Sequence, residues 1–183
     1  MFIQTEATPN PSTLKFIPGR EVMANGTYEC RSVTEAEKSP LASALFSIGH
    51  ISSVFFGSDF ISVTKSDGEW QNLKPSILGA IMDHFTSGHP LLLGDDFNQQ
   101  NDFIGEENSP IVEQISQLIE QRVRPAVAGD GGDIVLRGFK DGVVYLKMKG
   151  ACSGCPSSTA TLKNGIQNLL RHYVPEVQSV EQI

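Results

Sequence analysis

The chain has 183 residues, of which 39% are hydrophobic and 19% are charged. This composition supplies a packed core and excludes a disordered tail. The 14 basic and 21 acidic residues give a formal charge of −7, which opposes binding to nucleic-acid phosphates and anionic lipid headgroups. No apolar run approaches the ~20 residues that span a bilayer. We therefore expect neither nucleic acid nor a membrane as a partner.

A polar, acidic stretch without apolar periodicity divides the chain at residues 95–109. Residues 1–107 carry 6 basic and 14 acidic residues, a net charge of −8, whereas residues 108–183 carry 8 and 7, a net charge of +1. We predict an N-terminal domain over residues 1–94, an acidic linker over 95–109 and a C-terminal domain over 110–183. Both domains are predicted to belong to the α+β class.

The N-terminal domain is predicted to be a small mixed sheet with two helices. Ser39 followed by Pro40 is typical of a helix start, and an apolar stripe from Ile77 to Phe85 predicts a second helix that ends near Gly88. Short segments rich in β-branched or aromatic residues predict strands. These segments are 2–5, 13–17, 27–32, 60–64 and 91–93.

The C-terminal domain is predicted to place two helices on a three-stranded sheet. Its first helix starts at Ser109-Pro110 and is expected to end near Arg124, before Pro125. Asp141-Gly142 supplies the positive φ angles of a tight hairpin turn. A helix follows Pro156. The three strands are expected at 133–139, 143–149 and 177–180.

Cys152 and Cys155 close a short loop at the exit of a strand, and Pro156 places Cys155 at or just before a helix N-terminus. That position favours a thiolate, and Lys147, Lys149 and Lys163 lie close in sequence. The flanking Gly150 and Gly154 leave space for a bulky inorganic group held by thiolates. We predict Cys152 and Cys155 as the ligands of a metal cofactor. The alternative of two buried structural cysteines is disfavoured, because core cysteines rarely lie in a glycine-flanked loop at a helix start.

The ligand count then requires two chains. A [4Fe–4S] cluster, a [2Fe–2S] cluster or a closed zinc site each needs four protein ligands, and this domain offers two thiolates without a nearby histidine. A cluster shared across a twofold axis satisfies the count and lies near the surface. Such a cluster is easily assembled and lost, which suits a carrier. Zinc shared by two chains remains open as a structural alternative.

The competing hypothesis is a thiol–disulfide redox protein that uses the same two cysteines. The context disfavours it, because the pair follows a hairpin rather than the first strand of a βαβ unit. The aromatic-Cys-Gly-Pro-Cys pattern is also absent. No hydrolase triad, phosphate-binding loop or dinucleotide motif is visible, so we expect no enzymatic activity.

Other candidate residues receive simpler interpretations. Cys30 has no partner in ligand spacing and is interpreted as a packing residue. His84 and His89 straddle a predicted helix end and are interpreted as surface residues rather than a metal site. Asp130 and Asp133 are interpreted as flanking a glycine turn into the hairpin, with a contact to a partner in cluster transfer as the less favoured alternative.

Several segments resemble the C-terminal domain of the Nfu/NifU family of iron–sulfur scaffold and carrier proteins. They are PAVAGDGGD at 125–133, GVVY at 142–145, and GACSGCPSS at 150–158 followed by TLK at 161–163, within a resemblance that covers about 111–180. The segment TEATPNPSTLKF at 5–16 is similar to the N-terminal domain of mitochondrial and related bacterial Nfu proteins.

The resemblance implies a [4Fe–4S] cluster bridging a homodimer through Cys152 and Cys155, with a [2Fe–2S] cluster less favoured. It also implies transfer of the cluster to apo iron–sulfur proteins and interaction with upstream cluster-assembly proteins. The N-terminal domain would carry no cluster ligand and would help in partner recognition. We expect a bacterial cytoplasmic location, with the mitochondrial matrix as the alternative, because no basic, acid-poor leader is visible.

Overall fold

A computed structural model describes residues 1–94, 103–153 and 156–183, with the backbone alone at 156–158. The chain forms two compact units, Met1–Phe97 and Asn98–Ile183. Most of the predicted linker, at 95–102, lies outside the described residues, and the linker therefore stays a prediction. In the described part of the chain no helix is long and apolar enough to cross a membrane.

The first unit contains a five-stranded sheet with the strand order β1-β2-β5-β4-β3. All four strand pairs are antiparallel, so the predicted mixture of parallel and antiparallel pairs is wrong for this sheet. The strands are β1 (Gln4–Ala7), β2 (Thr13–Ile17), β3 (Tyr28–Cys30), β4 (Ile51–Phe56) and β5 (Ile61–Lys65). The helices are α1 (Val33–Ala36), α2 (Pro40–Ser47) and α3 (Trp70–Ser87).

The two long helices of this unit confirm the sequence prediction. Ser39 caps α2, because its Oγ atom accepts a hydrogen bond from the backbone N–H of Ala42 at 3.2 Å. Gly88 ends α3 in the left-handed conformation, with φ 71°. The strand predicted at 91–93 is wrong, since these residues form bends. The sequence analysis also missed α1 and the interior strand β4.

The second unit has a four-stranded sheet in the order β6-β7-β8-β9. The central pair is antiparallel and the two outer pairs are parallel. Its strands are β6 (Ile104–Gly105), β7 (Gly132–Lys140), β8 (Val143–Gly150) and β9 (Ser179–Gln182). The helices are α4 (Pro110–Leu118), a π-helical turn (Ile119–Val123), α5 (Arg124–Gly129) and α6 (Pro156–Tyr173).

The hairpin of β7 and β8 is confirmed, with Asp141 and Gly142 at φ angles of 52° and 78°. The predicted three-stranded sheet gains β6, a two-residue strand that pairs with β7 at Gly138 and Phe139. A strand this short leaves no periodic signal in the sequence. In the core of this unit the apolar faces of α4 and α6 belong to one cluster with residues of the sheet. Ile115 and Leu170 are fully buried.

The predicted end of the first helix near Arg124 is wrong, because the helical path continues to Gly129. The π-helical turn interrupts the α-helical register just before Pro125, and the proline lies in the first turn of α5. Proline has no N–H group to donate, and it follows directly on the turn where the regular α-helical hydrogen-bond pattern is interrupted.

Candidate metal centre

Cys152 occupies a single 3-10 turn, Ala151–Ser153, that directly follows β8. The residue is 7% exposed and packs in the core of the second unit with Met148 and Ile166. Because this turn follows the central strand β8, the sulfur of Cys152 lies inside the domain. Cys155 lies outside the described residues, so its role as a ligand stays a prediction.

Hydrogen bonds tie this turn to its surroundings on three sides. The backbone N–H of Ala151 donates to the carbonyl oxygen of Gly131 at 3.2 Å, in the connection that leads into β7. The Ser153 hydroxyl donates to the Gly150 carbonyl oxygen at 2.9 Å, and the Thr159 hydroxyl of α6 donates to the Cys152 carbonyl oxygen at 3.0 Å. The sheet and the following helix therefore both fix the backbone of Cys152.

Two adjacent glycines, Gly131 and Gly132, lie next to the turn that carries Cys152. Gly131 has a φ angle of 80°, which favours glycine and confirms the predicted turn into the hairpin. Gly132 serves a different purpose: a Cβ atom there would lie 2.8 Å from the Sγ atom of Cys152 and 2.7 Å from the carbonyl oxygen of Lys149. The absence of a side chain at Gly132 is what lets the sulfur approach the strand.

The surroundings of Cys152 favour a neutral thiol. Burial, together with a smaller contribution from the carboxylates of Asp130 and Asp133, raises the pKa of Cys152 to about 11. The sulfur of Cys152 lies inside the core. The thiolate-favouring position predicted from the sequence is that of Cys155, and it stays a prediction. The ammonium group of Lys163 lies 3.1 Å from the Glu181 carboxylate on β9. Iron must displace a proton from Cys152 in order to bind there.

An ion-pair network at the start of β7 escaped the sequence analysis. The Arg124 guanidinium donates from Nε and Nη2 to the two carboxylate oxygens of Asp133, at 2.8 and 2.9 Å. Its Nη1 atom donates to Glu120 at 2.7 Å. The hydrogen bonds to Asp133 raise the pKa of Arg124. The four-residue spacing of Glu120 and Arg124 was a readable signal, whereas the pairing with Asp133 depends on the fold.

The other candidate residues fall into two groups. Cys30 is fully buried in the core of the first unit, as expected of a packing residue, and burial raises its pKa to about 12. His89 is exposed, as predicted. His84 is not a surface residue: it is 6% exposed and continues the buried stripe of Ile77 and Ile81 on α3. Burial accordingly lowers the pKa of His84.

A cavity of about 650 Å³ in the second unit lies between α4 and β7 and has no Cys152 in its lining. Val112 and Ser116 line its helical side, and Leu136 and Arg137 line its strand side. Across the described side chains, no three His, Cys, Asp or Glu residues are grouped to hold a metal ion. The candidate site is centred on Cys152, the predicted ligand whose side chain the structure describes and whose sulfur is a soft donor.

Comparison with known proteins gives consistent matches along the whole chain. Residues 3–88 match the family model described as "Scaffold protein Nfu/NifU N terminal", and residues 115–181 match the "NifU-like domain". Among solved structures, a NifU-like protein from Saccharomyces cerevisiae matches 52% of this chain and 87% of its own, at 22% identity and a TM-score of 0.47. That structural likeness is too distant to support a conclusion.

Three curated relatives match all of the chain. "NFU1 iron-sulfur cluster scaffold homolog, mitochondrial" from Homo sapiens is 50% identical, and the match covers 72% of that protein. The relative of the same name from Drosophila ananassae is 50% identical with 64% covered, and "NifU-like protein 4, mitochondrial" from Arabidopsis thaliana is 53% identical with 66% covered. The chain thus spans about two thirds of the length of these relatives.

Proposed function

Because this chain belongs to the Nfu/NifU family of scaffold proteins, we propose that it binds an iron–sulfur cluster as cargo and passes it to apo iron–sulfur proteins. The observation that carries the proposal is the position of Cys152. Its sulfur lies just after the end of β8 and packs against Gly132, within the part of the chain that matches the NifU-like domain. Thiolate sulfur is the donor that iron–sulfur clusters use.

The cluster is proposed to be a [4Fe–4S] cluster held between two copies of the chain, with a [2Fe–2S] cluster as the less favoured form. Cys152 and Cys155 of each copy would supply the four thiolates that either cluster needs. The homodimer would therefore form with the cluster and be held together through it. A site built from two surfaces opens when the subunits separate, which suits release to an acceptor.

The residues around Cys152 account for how the cargo is held. The hydrogen bonds of Ala151 and Thr159 fix the backbone on either side of Cys152. Burial keeps water away from the sulfur. The cost is that the buried thiol must lose its proton when iron binds, so cluster uptake and proton release are coupled.

The first unit is proposed to recognise partners rather than to bind the cluster. Its one cysteine, Cys30, is fully buried in a hydrophobic core. The partners are upstream cluster-assembly proteins and apo target proteins, and no enzymatic step is assigned to the chain. The relatives' names place those proteins in mitochondria and favour the mitochondrial matrix over the bacterial cytoplasm for this chain.

The thiol–disulfide alternative is less well supported by the buried environment of Cys152. A thiol that attacks a disulfide works best with a pKa near the ambient pH. The pKa of Cys152 is raised to about 11 by burial, which leaves almost no thiolate on this residue at neutral pH. The alternative therefore depends entirely on Cys155.

The experiment that tests the proposal is transfer of a cluster to an acceptor. Protein reconstituted anaerobically with iron and sulfide is mixed with a [4Fe–4S] enzyme that has been stripped of its cluster, and the recovery of enzyme activity is followed. The wild-type chain and Cys30→Ser should restore activity, whereas Cys152→Ser and Cys155→Ser should bind no cluster and restore none. A colourless, metal-free wild-type protein that reduces disulfide substrates would instead support the redox alternative.

A further inference from the structure

The outer edge of β7, on the side away from β8, is only partly paired in the described part of the chain. The short strand β6 pairs with β7 at Gly138 and Phe139. No described strand pairs with this edge alongside Ile134 or Leu136, although β7 begins at Gly132. The second unit therefore has a sheet edge at which a further strand can be added.

The ladder between β7 and β8 shows which backbone groups face this edge. The N–H of Ala151 donates to the carbonyl oxygen of Gly131, which makes these two residues a hydrogen-bonded pair in the register of the hairpin. Hydrogen-bonded and non-hydrogen-bonded pairs alternate along an antiparallel ladder, so Ile134 and Leu136 lie in non-hydrogen-bonded pairs. Their N–H and C=O groups therefore point away from β8, towards the outer edge.

A groove follows this edge, between β7 and the helical segment that faces it. The cavity of about 650 Å³ between α4 and β7 shares Ser116, Val135 and Leu136 with a second cavity of about 150 Å³. Ile134 lines the smaller cavity. The two backbone positions that face outward therefore border a space that an extended peptide can enter.

The opposite edge of the same sheet is covered. The backbone N–H of Val180 in β9 donates to the side-chain Oε1 atom of Gln167 on α6, at 3.1 Å. Lys163 of α6 also pairs with Glu181 of β9, at 3.1 Å. Natural sheets cover or charge their edges in this way, which prevents the addition of another strand. The groove beside β7 is therefore the better place for strand addition.

The exposed charges of the groove indicate the chemistry of its occupant. Glu107 and Glu113 line the larger cavity, both are exposed, and no described residue forms an ion pair with either. Of the cations in the walls, Arg137 is buried and Arg124 is paired with Asp133. The exposed charge of the groove is therefore acidic, and it complements a Lys or Arg side chain.

We propose that this groove binds an extended, basic segment of a partner protein as an additional strand beside β7. The backbone of the segment bonds to Ile134 and Leu136, and a Lys or Arg side chain meets Glu113. In this mode of recognition main-chain hydrogen bonds supply affinity and side-chain contacts supply specificity. The proposal adds a recognition surface on the second unit to the one proposed for the first, and it does not depend on cluster binding.

Peptide selection on the cluster-free, full-length chain tests this proposal. A phage-displayed library of short random peptides is selected on the wild-type protein, and a fluorescein-labelled copy of the most enriched peptide is titrated by fluorescence anisotropy. The enriched sequences should combine Lys or Arg with β-branched residues, which favour an extended strand. The labelled peptide should slow hydrogen exchange at the amides of Ile134 and Leu136.

Two matched pairs of variants separate the groove from general attraction to an acidic chain. Glu113→Arg should weaken peptide binding severalfold, whereas Glu176→Arg makes the same charge change at an exposed residue outside the groove and should not. Ser116→Trp should block the groove without a change of charge. Gln114→Trp, at an exposed position of the same helix outside the groove, should leave binding intact. If Ser116→Trp fails to fold, the Glu113 and Glu176 variants still carry the test.

Three results would overturn the proposal. The first is a selection without a shared sequence, or a peptide whose affinity neither Glu113→Arg nor Ser116→Trp changes. The second is full exchange protection of Ile134 and Leu136 in the chain alone, since the edge would then already be paired. The third is a cluster-free dimer that Ser116→Trp converts to a monomer, since the groove would then belong to a second copy. None of these results bears on cluster binding, which the transfer assay tests separately.

Discussion

The sulfur of Cys152 packs so closely against Gly132 that a Cβ atom at the glycine would lie 2.8 Å from it. The position of the Cys152 sulfur therefore requires that Gly132, the first residue of β7, has no side chain. The sequence places them twenty residues apart, and the hairpin brings them together by pairing Gly132 with Gly150. A small residue at position 132 is as much a part of the site as the cysteine itself.

Gly132→Ala should destabilise the second unit. The added methyl group would meet both the Cys152 sulfur and the carbonyl oxygen of Lys149, 2.7 Å away, and the backbone atom cannot rotate aside. Overpacking of this kind costs about 1–3 kcal/mol. Thermal unfolding of the full chain followed by circular dichroism measures the loss.

Gly165→Ala is the matched control for that variant. Gly165 lies on an exposed position of α6 with nothing within 4 Å of its Cβ position, so alanine should stabilise the helix by roughly 0.5–1 kcal/mol. An unfolding midpoint for Gly132→Ala equal to or above that of the wild type would refute the close contact.

The stability of the first unit should fall in alkaline solution through Cys30. Burial raises the pKa of this thiol to about 12, whereas a thiol in an unfolded chain titrates near ~8.5. The protonated thiol therefore stabilises the fold fully below about pH 8.5, and this contribution is lost as the pH rises towards 12. Tyr28, whose pKa is also raised to about 12 by burial, acts in the same direction.

The chain has one tryptophan, Trp70, which lies on α3 and makes fluorescence a probe of the first unit. Urea unfolding at pH 7.5, 9 and 10.5 should show a smaller decline for Cys30→Ala than for the wild type, because the variant lacks one of the two titrating groups. Parallel declines would show that Cys30 does not contribute.

Removal of the helix cap at Ser39 should weaken the first unit. Ser39 is fully buried, and its hydroxyl satisfies the otherwise unpaired N–H group of Ala42. Loss of such a cap costs about 0.5–2 kcal/mol. Ser39→Ala should therefore lower the urea midpoint seen by Trp70 fluorescence.

Ser109→Ala provides the comparison, because Ser109 caps α4 in the second unit through the N–H of Val112 at 3.2 Å. This variant should lower the circular-dichroism transition and leave the Trp70 transition unchanged. A shift of the Trp70 transition by Ser109→Ala, or none by Ser39→Ala, would contradict the assignment of the two caps.

Features with a local cause were predictable from the sequence. Ser39-Pro40 and Ser109-Pro110 start helices where expected, and Asp141-Gly142 forms the hairpin turn, because each depends on a few adjacent residues. The stripe of α6 was equally readable, since its apolar residues recur with the helical period.

Features that depend on distant contacts were not predictable. The strand β4 lies between β3 and β5, and most of its residues are buried, so it lacks the alternating pattern of a half-exposed strand. His84 is buried by the packing of α3, although a histidine alone indicates neither surface nor core. For the same reason the sequence could name Cys152 but not its burial, and it did not reveal the Arg124–Asp133 pair at the start of β7.

The central claim is that two chains share one cluster through Cys152 and Cys155, and the iron content of a sized complex tests it most directly. After anaerobic reconstitution, size-exclusion chromatography with light scattering and iron analysis should give a coloured species at twice the 19.9 kDa chain mass. It should contain about two irons per chain, as one shared four-iron cluster requires. A coloured monomer, or a colourless protein at any mass, would contradict the account.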